Sequence, residues 1–173
     1  IYSTASDQDG YIFSKSVKQL PQLEQTWILL DRDYKEVKNS DGTLKYKYKE
    51  WTDKFPYSFK DKDGKTVNFE IYEKRVVTFN PKLAEKKRIE ILKMVDKVVN
   101  LSARSAKRYE YGDAVKYAQF LSTDQDGNLT DGKVIAKINK ETLDNDLKLA
   151  GYNLLVTSEF NMSSIEIYEA YHN

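Results

Sequence analysis

The chain has 173 residues, 40% hydrophobic and 13% aromatic, enough to bury a core as one domain or as one domain with a lobe. With 28 basic and 27 acidic residues the net charge is +1, so bulk electrostatics announces no nucleic-acid binder and any basic surface must be local. No cysteine is present, which excludes a disulfide framework and a thiolate zinc site; no apolar run approaches the ~18 residues of a membrane helix, and no basic-then-apolar leader opens the chain.

Ile1 to Gly10 is polar and closes in Asp7-Gln8-Asp9-Gly10, a predicted turn. Tyr11-Ile12-Phe13 then reads as a short strand. Pro21 suits the first turn of a helix running to Leu30, where Leu23, Trp27 and Leu30 recur at helical spacing. Trp27 is expected to pack into the core.

From Asp33 to Phe79 the texture changes. Leu44 to Lys49 alternates strictly, which puts Leu44, Tyr46 and Tyr48 on one face of a strand and Lys45, Lys47 and Lys49 on the other. Asp41-Gly42 and Asp63-Gly64 are hairpin signals, because glycine tolerates the positive φ of such turns. Val67, Phe69 and Ile71 alternate next, and Arg75 to Phe79 continues in extended style. The prediction is an antiparallel meander of three or four strands. Its lysine face has two readings, a solvated outer face that discourages edge pairing or a phosphate-tracking surface.

Asn80-Pro81 opens a long helix, with asparagine as N-cap and proline at the first helical position. Its predicted apolar stripe is Ala84, Ile91, Val95 and Val98 with Leu92 and Val99. Lys82, Lys86, Lys87, Arg88, Lys93 and Lys97 crowd the remainder, against Glu85, Glu90 and Asp96. Lys86-Lys87-Arg88 is the densest basic cluster, and Arg104, Lys107 and Arg108 follow it. These six are the candidate DNA contacts, the alternative being a solvated helix face.

Tyr109 to Phe120 is mixed and aromatic, a helix broken near Gly112. Asp126-Gly127 and Asp131-Gly132 bracket a hairpin-like region, Val134, Ala136 and Ile138 alternate as a strand, and Glu141 to Ala150 is a short polar helix. Asn153 to Thr157 has the length and composition of a buried strand. Ser163-Ser164-Ile165-Glu166 is a capping box, with Met162 and Ile167 placed as its hydrophobic staple. The helix it starts carries Ile167, Ala170 and Tyr171 on one face and reaches Asn173 with no C-cap signal, so it is expected to continue.

The run GYNLLVTSE…SSIEIYEAYHN, from Gly151 to Asn173, resembles the approach to the catalytic glutamate in insertion-sequence transposases of the DDE class, on the RNase H-like fold. In that family the helix bears a tyrosine, an arginine three residues later, the metal-binding glutamate about seven residues later and then a lysine. Tyr171 matches the tyrosine, and the other positions fall beyond Asn173. GYIFSKSVK, Gly10 to Lys18, resembles the strand after the second catalytic aspartate. EKRVVTFNPKLAEKKRIEILKMVDKVV and INKETLDNDLKLAGYNLLVTSE resemble the insertion between that strand and the glutamate helix.

The resemblance implies an α+β fold: an antiparallel β-rich insertion with a long amphipathic helix over 33–145, attached to remnants of an RNase H-like core at 1–32 and 146–173. It implies that the three catalytic acids lie outside the 173 residues, that the chain is inactive alone, and that Tyr171 contacts the DNA backbone. For the full-length parent it implies Mg2+, transposon ends as the DNA partner, a possible homodimer and a bacterial cytoplasmic location.

The residues offer no active site of their own. An EF-hand loop begun at Asp124 would need glycine and glutamate where Leu129 and Ile135 stand. Five of the seven glycines follow an aspartate, which speaks for hairpin turns instead. His172 is the single histidine, so no His-pair metal site exists, and no glycine-rich phosphate loop occurs. A different class of reading remains open: a polyanion or single-strand binding module in which exposed tyrosines stack on bases, or a protein-interaction domain. Burial of Tyr46 and Tyr48 would count against the stacking module.

Overall fold

A computed structural model describes residues 10–121 and 135–172. The turns expected at Asp7 to Asp9, at Asp126-Gly127 and at Asp131-Gly132, and the rejected calcium loop, lie outside them. Contacts divide the described chain into two compact units, one formed by the residues up to Pro81 with those from Tyr152 onward, the other by Lys82–Gly151.

The first unit is built on a five-stranded sheet in the order β1-β7-β4-β3-β2, with every neighbouring pair antiparallel. Its strands are β1 (Ile12–Lys15), β2 (Lys35–Lys38), β3 (Leu44–Lys60), β4 (Thr66–Phe79) and β7 (Tyr152–Thr157). The two glycine turns form as expected, Gly42 at φ +82° and Gly64 at φ +77°. The meander has three strands, because the two pieces anticipated between Val67 and Phe79 are one continuous β4. β3 and β4 pair from Lys47↔Phe79 to Lys60↔Thr66, yet only Lys74–Phe79 also pairs with β7. The rest is a two-stranded ribbon.

One helix lies on each face of this sheet. Successive strand residues point to opposite sides. Trp51 and Arg75 meet α1 (Gln22–Leu29), through the Trp27 ring at 4.7 Å and the Glu24 carboxylate at 3.3 Å. Val76 and Leu155 bury Ile167 of α4 (Ser164–His172) on the other side, with Met162 packed beside them. The capping box of α4 is formed: Glu166 N–H donates to Ser163 Oγ at 3.2 Å and Ser163 N–H to Glu166 Oε2 at 2.7 Å. The inward face of α4 is Ser164, Ile167 and Tyr168, whereas Ala170 and Tyr171 are exposed.

The inward face of α1 also differs from the expectation. Gln25 and Ile28 are buried, while Leu23 is 83% exposed and Trp27 only half-buried. Gln25 turns inward because its Nε2 donates to the carbonyls of Leu20, at 2.9 Å, and Lys18, at 3.3 Å. Trp27 instead covers a lysine. Lys49, buried on β3, donates to the carbonyls of Trp27 at 2.5 Å, Leu30 at 3.0 Å and Arg32 at 3.5 Å, with its Nζ 4.1 Å from the Trp27 ring centroid. An ammonium thus satisfies the carbonyls left over where α1 ends and faces the negative end of the helix dipole. Lys47 likewise bonds Asp31 and lies 4.6 Å from the Tyr34 ring centroid. Two of the three lysines read as a strand's outer face are therefore fasteners for α1. Lys49→Met is expected to cost about 2–3 kcal/mol, since bonds from a charged donor are lost and part-buried carbonyls are left without it; urea unfolding measures it.

The second unit is helical with a two-stranded sheet. α2 (Pro81–Ala103) leads through a 3₁₀ segment, Arg108–Tyr117, into β5 (Ala118–Leu121), which pairs with β6 (Ile135–Ile138); α3 (Lys140–Leu149) follows. The 3₁₀ segment breaks at Gly112, φ 51° and ψ −132°, a backbone only glycine adopts freely. Ile91, Val98 and Leu101 of α2 pack with Tyr111, Ala114, Tyr117 and Ala136. Leu92 and Val99 are 51% and 52% exposed, so the stripe of α2 is narrower than its sequence suggests. The helix ends in a Schellman arrangement with Ser105 at φ 53°: Ala106 N–H donates to the Leu101 carbonyl at 3.0 Å. No glycine marks that end.

The compact units do not follow the change of texture at Asp33. Antiparallel pairing recruits β2, β3 and β4 into the sheet that holds β1 and β7, whatever their surface composition. No described helix is long and apolar enough to cross a membrane.

Candidate nucleic-acid interface

The six candidate cations lie in the second unit, in two groups rather than one. Lys86, Lys87 and Arg88 are exposed in the second turn of α2, and Arg104 follows its last residue. At 1.5 Å per residue the groups are about 24–27 Å apart. Arg104 and Lys107 meet at Glu110: Arg104 Nη2 is 3.3 Å from its Oε2, and the Lys107 backbone N–H donates to its Oε1 at 2.8 Å. Arg108 holds its guanidinium 5.3 Å from the Phe120 ring centroid.

Within the first group, sequence adjacency does not mean a shared face. Each helical step rotates about 100°, so Lys87 and Arg88 lie about 100° and 200° round from Lys86. Lys87 is further committed to Glu90, at 3.4 Å. Lys86 instead lines a shallow groove with Lys82, Glu85, Ile89, Glu90 and Lys93. A second groove continues from Lys93 through Asp96, Lys97, Asn100 and Leu101 to Arg104. Lys82, Lys93 and Lys97, basic residues of the same helix outside the six candidate contacts, also line these grooves, and their spacing in the sequence contains the signal.

Tyr171 belongs to the first unit. It is 39% exposed and edge-on to His172, with ring centroids 5.1 Å apart. His172 stacks on Tyr168 at 4.1 Å and Tyr168 on Tyr46 at 3.9 Å, so Tyr171 ends an aromatic ladder rising from the sheet. Tyr46 is buried and Tyr48 half-buried. Both are core, which counts against a base-stacking platform at those positions.

The acids nearest to the interior are already committed. Glu73 accepts from Tyr11 and Tyr57; Asp146 accepts from Tyr117 at 2.6 Å with Lys116 at 3.6 Å; Glu50 holds Lys74 at 2.9 Å and accepts from Ser164 Oγ. Among the described residues no three of His, Cys, Asp or Glu converge to hold a metal ion. The residues present do not fit a two-magnesium site, and no step of a phosphoryl transfer is derived from them.

A scan of protein-family models and searches of curated proteins and of solved structures each return no match.

Proposed function

We propose that this chain is the segment of a DDE-class insertion-sequence transposase lying between the second catalytic aspartate and the catalytic glutamate. It would supply scaffold and DNA contacts, while acids outside the 173 residues bind the magnesium ions that activate the attacking oxygen and stabilise the leaving one. On this reading the parent acts on transposon ends in the bacterial cytoplasm, as a homodimer.

One observation supports the reading. The two stretches matched to the RNase H-like core lie about 140 residues apart in sequence yet are neighbours in space. β1 pairs with β7 from Ile12↔Thr157 to Lys15↔Leu154, Thr157 Oγ1 donates to the Tyr11 carbonyl at 2.6 Å, and α4 packs on the same sheet. Had β1 and α4 stood at opposite ends of the unit, the assignment would fail.

The test is strand cleavage. Supercoiled plasmid is incubated in Mg2+ and then Mn2+ with the 173-residue chain and with a longer chain that includes the flanking coding sequence on both sides. The short chain is expected to leave the plasmid intact, and the longer one to nick or join it. Nicking by the short chain that disappears when one of its own acids is mutated would overturn the proposal.

A further inference from the structure

We infer that one face of α2 is a docking surface for the phosphate backbone of duplex DNA, formed by Lys82, Lys86, Lys93, Lys97 and Arg104 rather than by the consecutive Lys86-Lys87-Arg88. The inference rests on the proposed reading that DNA is the partner, and it identifies which surface meets it. At about 100° per residue the five positions fall within roughly 60° of arc, on the side away from buried Ile91 and Val98. All five are exposed, and the two grooves along this face share Lys93.

Two further features set the stripe apart from an ordinary solvated helix. Among the described residues none of its four lysines has an ion-pair partner, while Lys38, Lys47, Lys74, Lys87 and Lys116 each hold a carboxylate. Its flanking acids are few: Glu90 is taken by Lys87 and Glu110 by Arg104, which leaves Glu85 and Asp96 against the four lysines. The stripe runs 22 residues from Lys82 to Arg104, about 33 Å, close to the ~34–36 Å of one duplex turn. A row of that length and sign matches a polyanion with regularly spaced charges. It has no base-reading geometry, so the binding is expected to be indifferent to sequence.

The test measures binding of the whole chain to a fluorescent duplex between about 50 and 200 mM salt. Five phosphate contacts give a log–log slope near −4.5, a loss of about 500-fold over that range. The triple variant Lys86→Gln/Lys93→Gln/Lys97→Gln is expected to reduce the slope to about −1.8 and the loss to about 10-fold. Lys87→Gln/Arg88→Gln should leave it unchanged. Glutamine is a good helix former on an exposed face, so circular dichroism should show all variants equally helical.

An unchanged slope in the triple variant overturns the inference, as does flattening confined to the Lys87/Arg88 variant. Stripe-dependent binding to vesicles containing phosphatidylserine with none to the duplex would assign the face to a membrane surface and overturn it as well. Strand cleavage by the longer chain is read separately, so loss of the stripe leaves the transposase reading standing, and loss of cleavage leaves the stripe standing.

Discussion

Glu73→Ala is expected to lower the folding stability by about 3–5 kcal/mol, a large part of the ~5–15 kcal/mol that holds a domain folded. Glu73 is 1% exposed and Arg75, two residues along β4, is 3% exposed. The Glu73 carboxylate accepts from Tyr11 Oη at 2.9 Å and from Tyr57 Oη at 2.7 and 2.8 Å, and lies 3.5 Å from Arg75 Nη2. Arg75 in turn reaches Glu24 of α1 at 3.3 Å and spreads its guanidinium 3.3 Å from the Phe55 ring centroid. Removing the carboxylate leaves a buried guanidinium with only the partly exposed Glu24, and two tyrosine hydroxyls without their acceptor. That penalty, the desolvation of groups left behind, exceeds the worth of the bonds themselves.

The same logic predicts how the loss is distributed. Glu73→Gln keeps an acceptor for both tyrosines and should cost less than Glu73→Ala. Glu73→Ala/Arg75→Ala should cost less than the sum of the single changes, by at least about 1 kcal/mol, because the double variant strands no charge. Urea unfolding of the four proteins measures the coupling. Additive losses would mean that the two side chains, though close, are each satisfied by other partners.

This network also explains why β4 looked like two pieces. Glu73-Lys74-Arg75 is a polar triplet between two apolar runs, and periodicity treats charge as solvent. In the structure Glu73 and Arg75 point inward and pair, and Lys74 donates to the Met162 carbonyl at 2.9 Å on the other face. The glycine turns and the α4 capping box were legible because their signals are local backbone requirements. The inward face of α1, the burial of Lys49 and the end of α2 at Ser105 were not. Each depends on a partner remote in sequence or on a residue adopting an unusual φ.

The candidate interface divides the same way. Lys86-Lys87-Arg88 stands out in the linear sequence because density is easy to see, yet a helix distributes three consecutive residues around most of its circumference. Lys82, Lys93 and Lys97 are plain in the sequence as residues, and they share one side only because α2 is a continuous helix through Asn100. The Arg104 group depends on Glu110 and on the turn after α2, which no periodicity announces.

Above pH 10 the protein is expected to lose stability steeply and to unfold by about two pH units higher. Burial is the main force pushing the hydroxyls of Tyr46, Tyr111 and Tyr117 up, Tyr46 to about 12; Tyr168 adds to it for Tyr46, the Asp146 carboxylate for Tyr117, and Glu110 for Tyr111 against a lowering by Arg104. All three are under 2% exposed. In the unfolded chain they ionise near pH 10. The folded state therefore keeps protons that the unfolded state releases, and stability, complete below pH 10, falls as pH rises towards the folded values. A group that keeps its proton loses about 1 kcal/mol between pH 10 and 11 and about 1.4 kcal/mol per unit beyond, so Tyr46 and Tyr117 together remove about 2 kcal/mol over the first full unit, and Tyr111 adds to the loss. Half-buried Tyr57, raised to about 12 by burial and by its bond to Glu73, adds a smaller share after solvent screening. Lys49, lowered by burial, works in the opposite direction and offsets at most one of them. Tyrosinate absorbance at 295 nm followed against pH should show the exposed tyrosines titrating first, then a steep rise that coincides with loss of far-ultraviolet ellipticity. A single smooth titration centred near 10 with ellipticity intact would mean that the three hydroxyls reach solvent in the folded state.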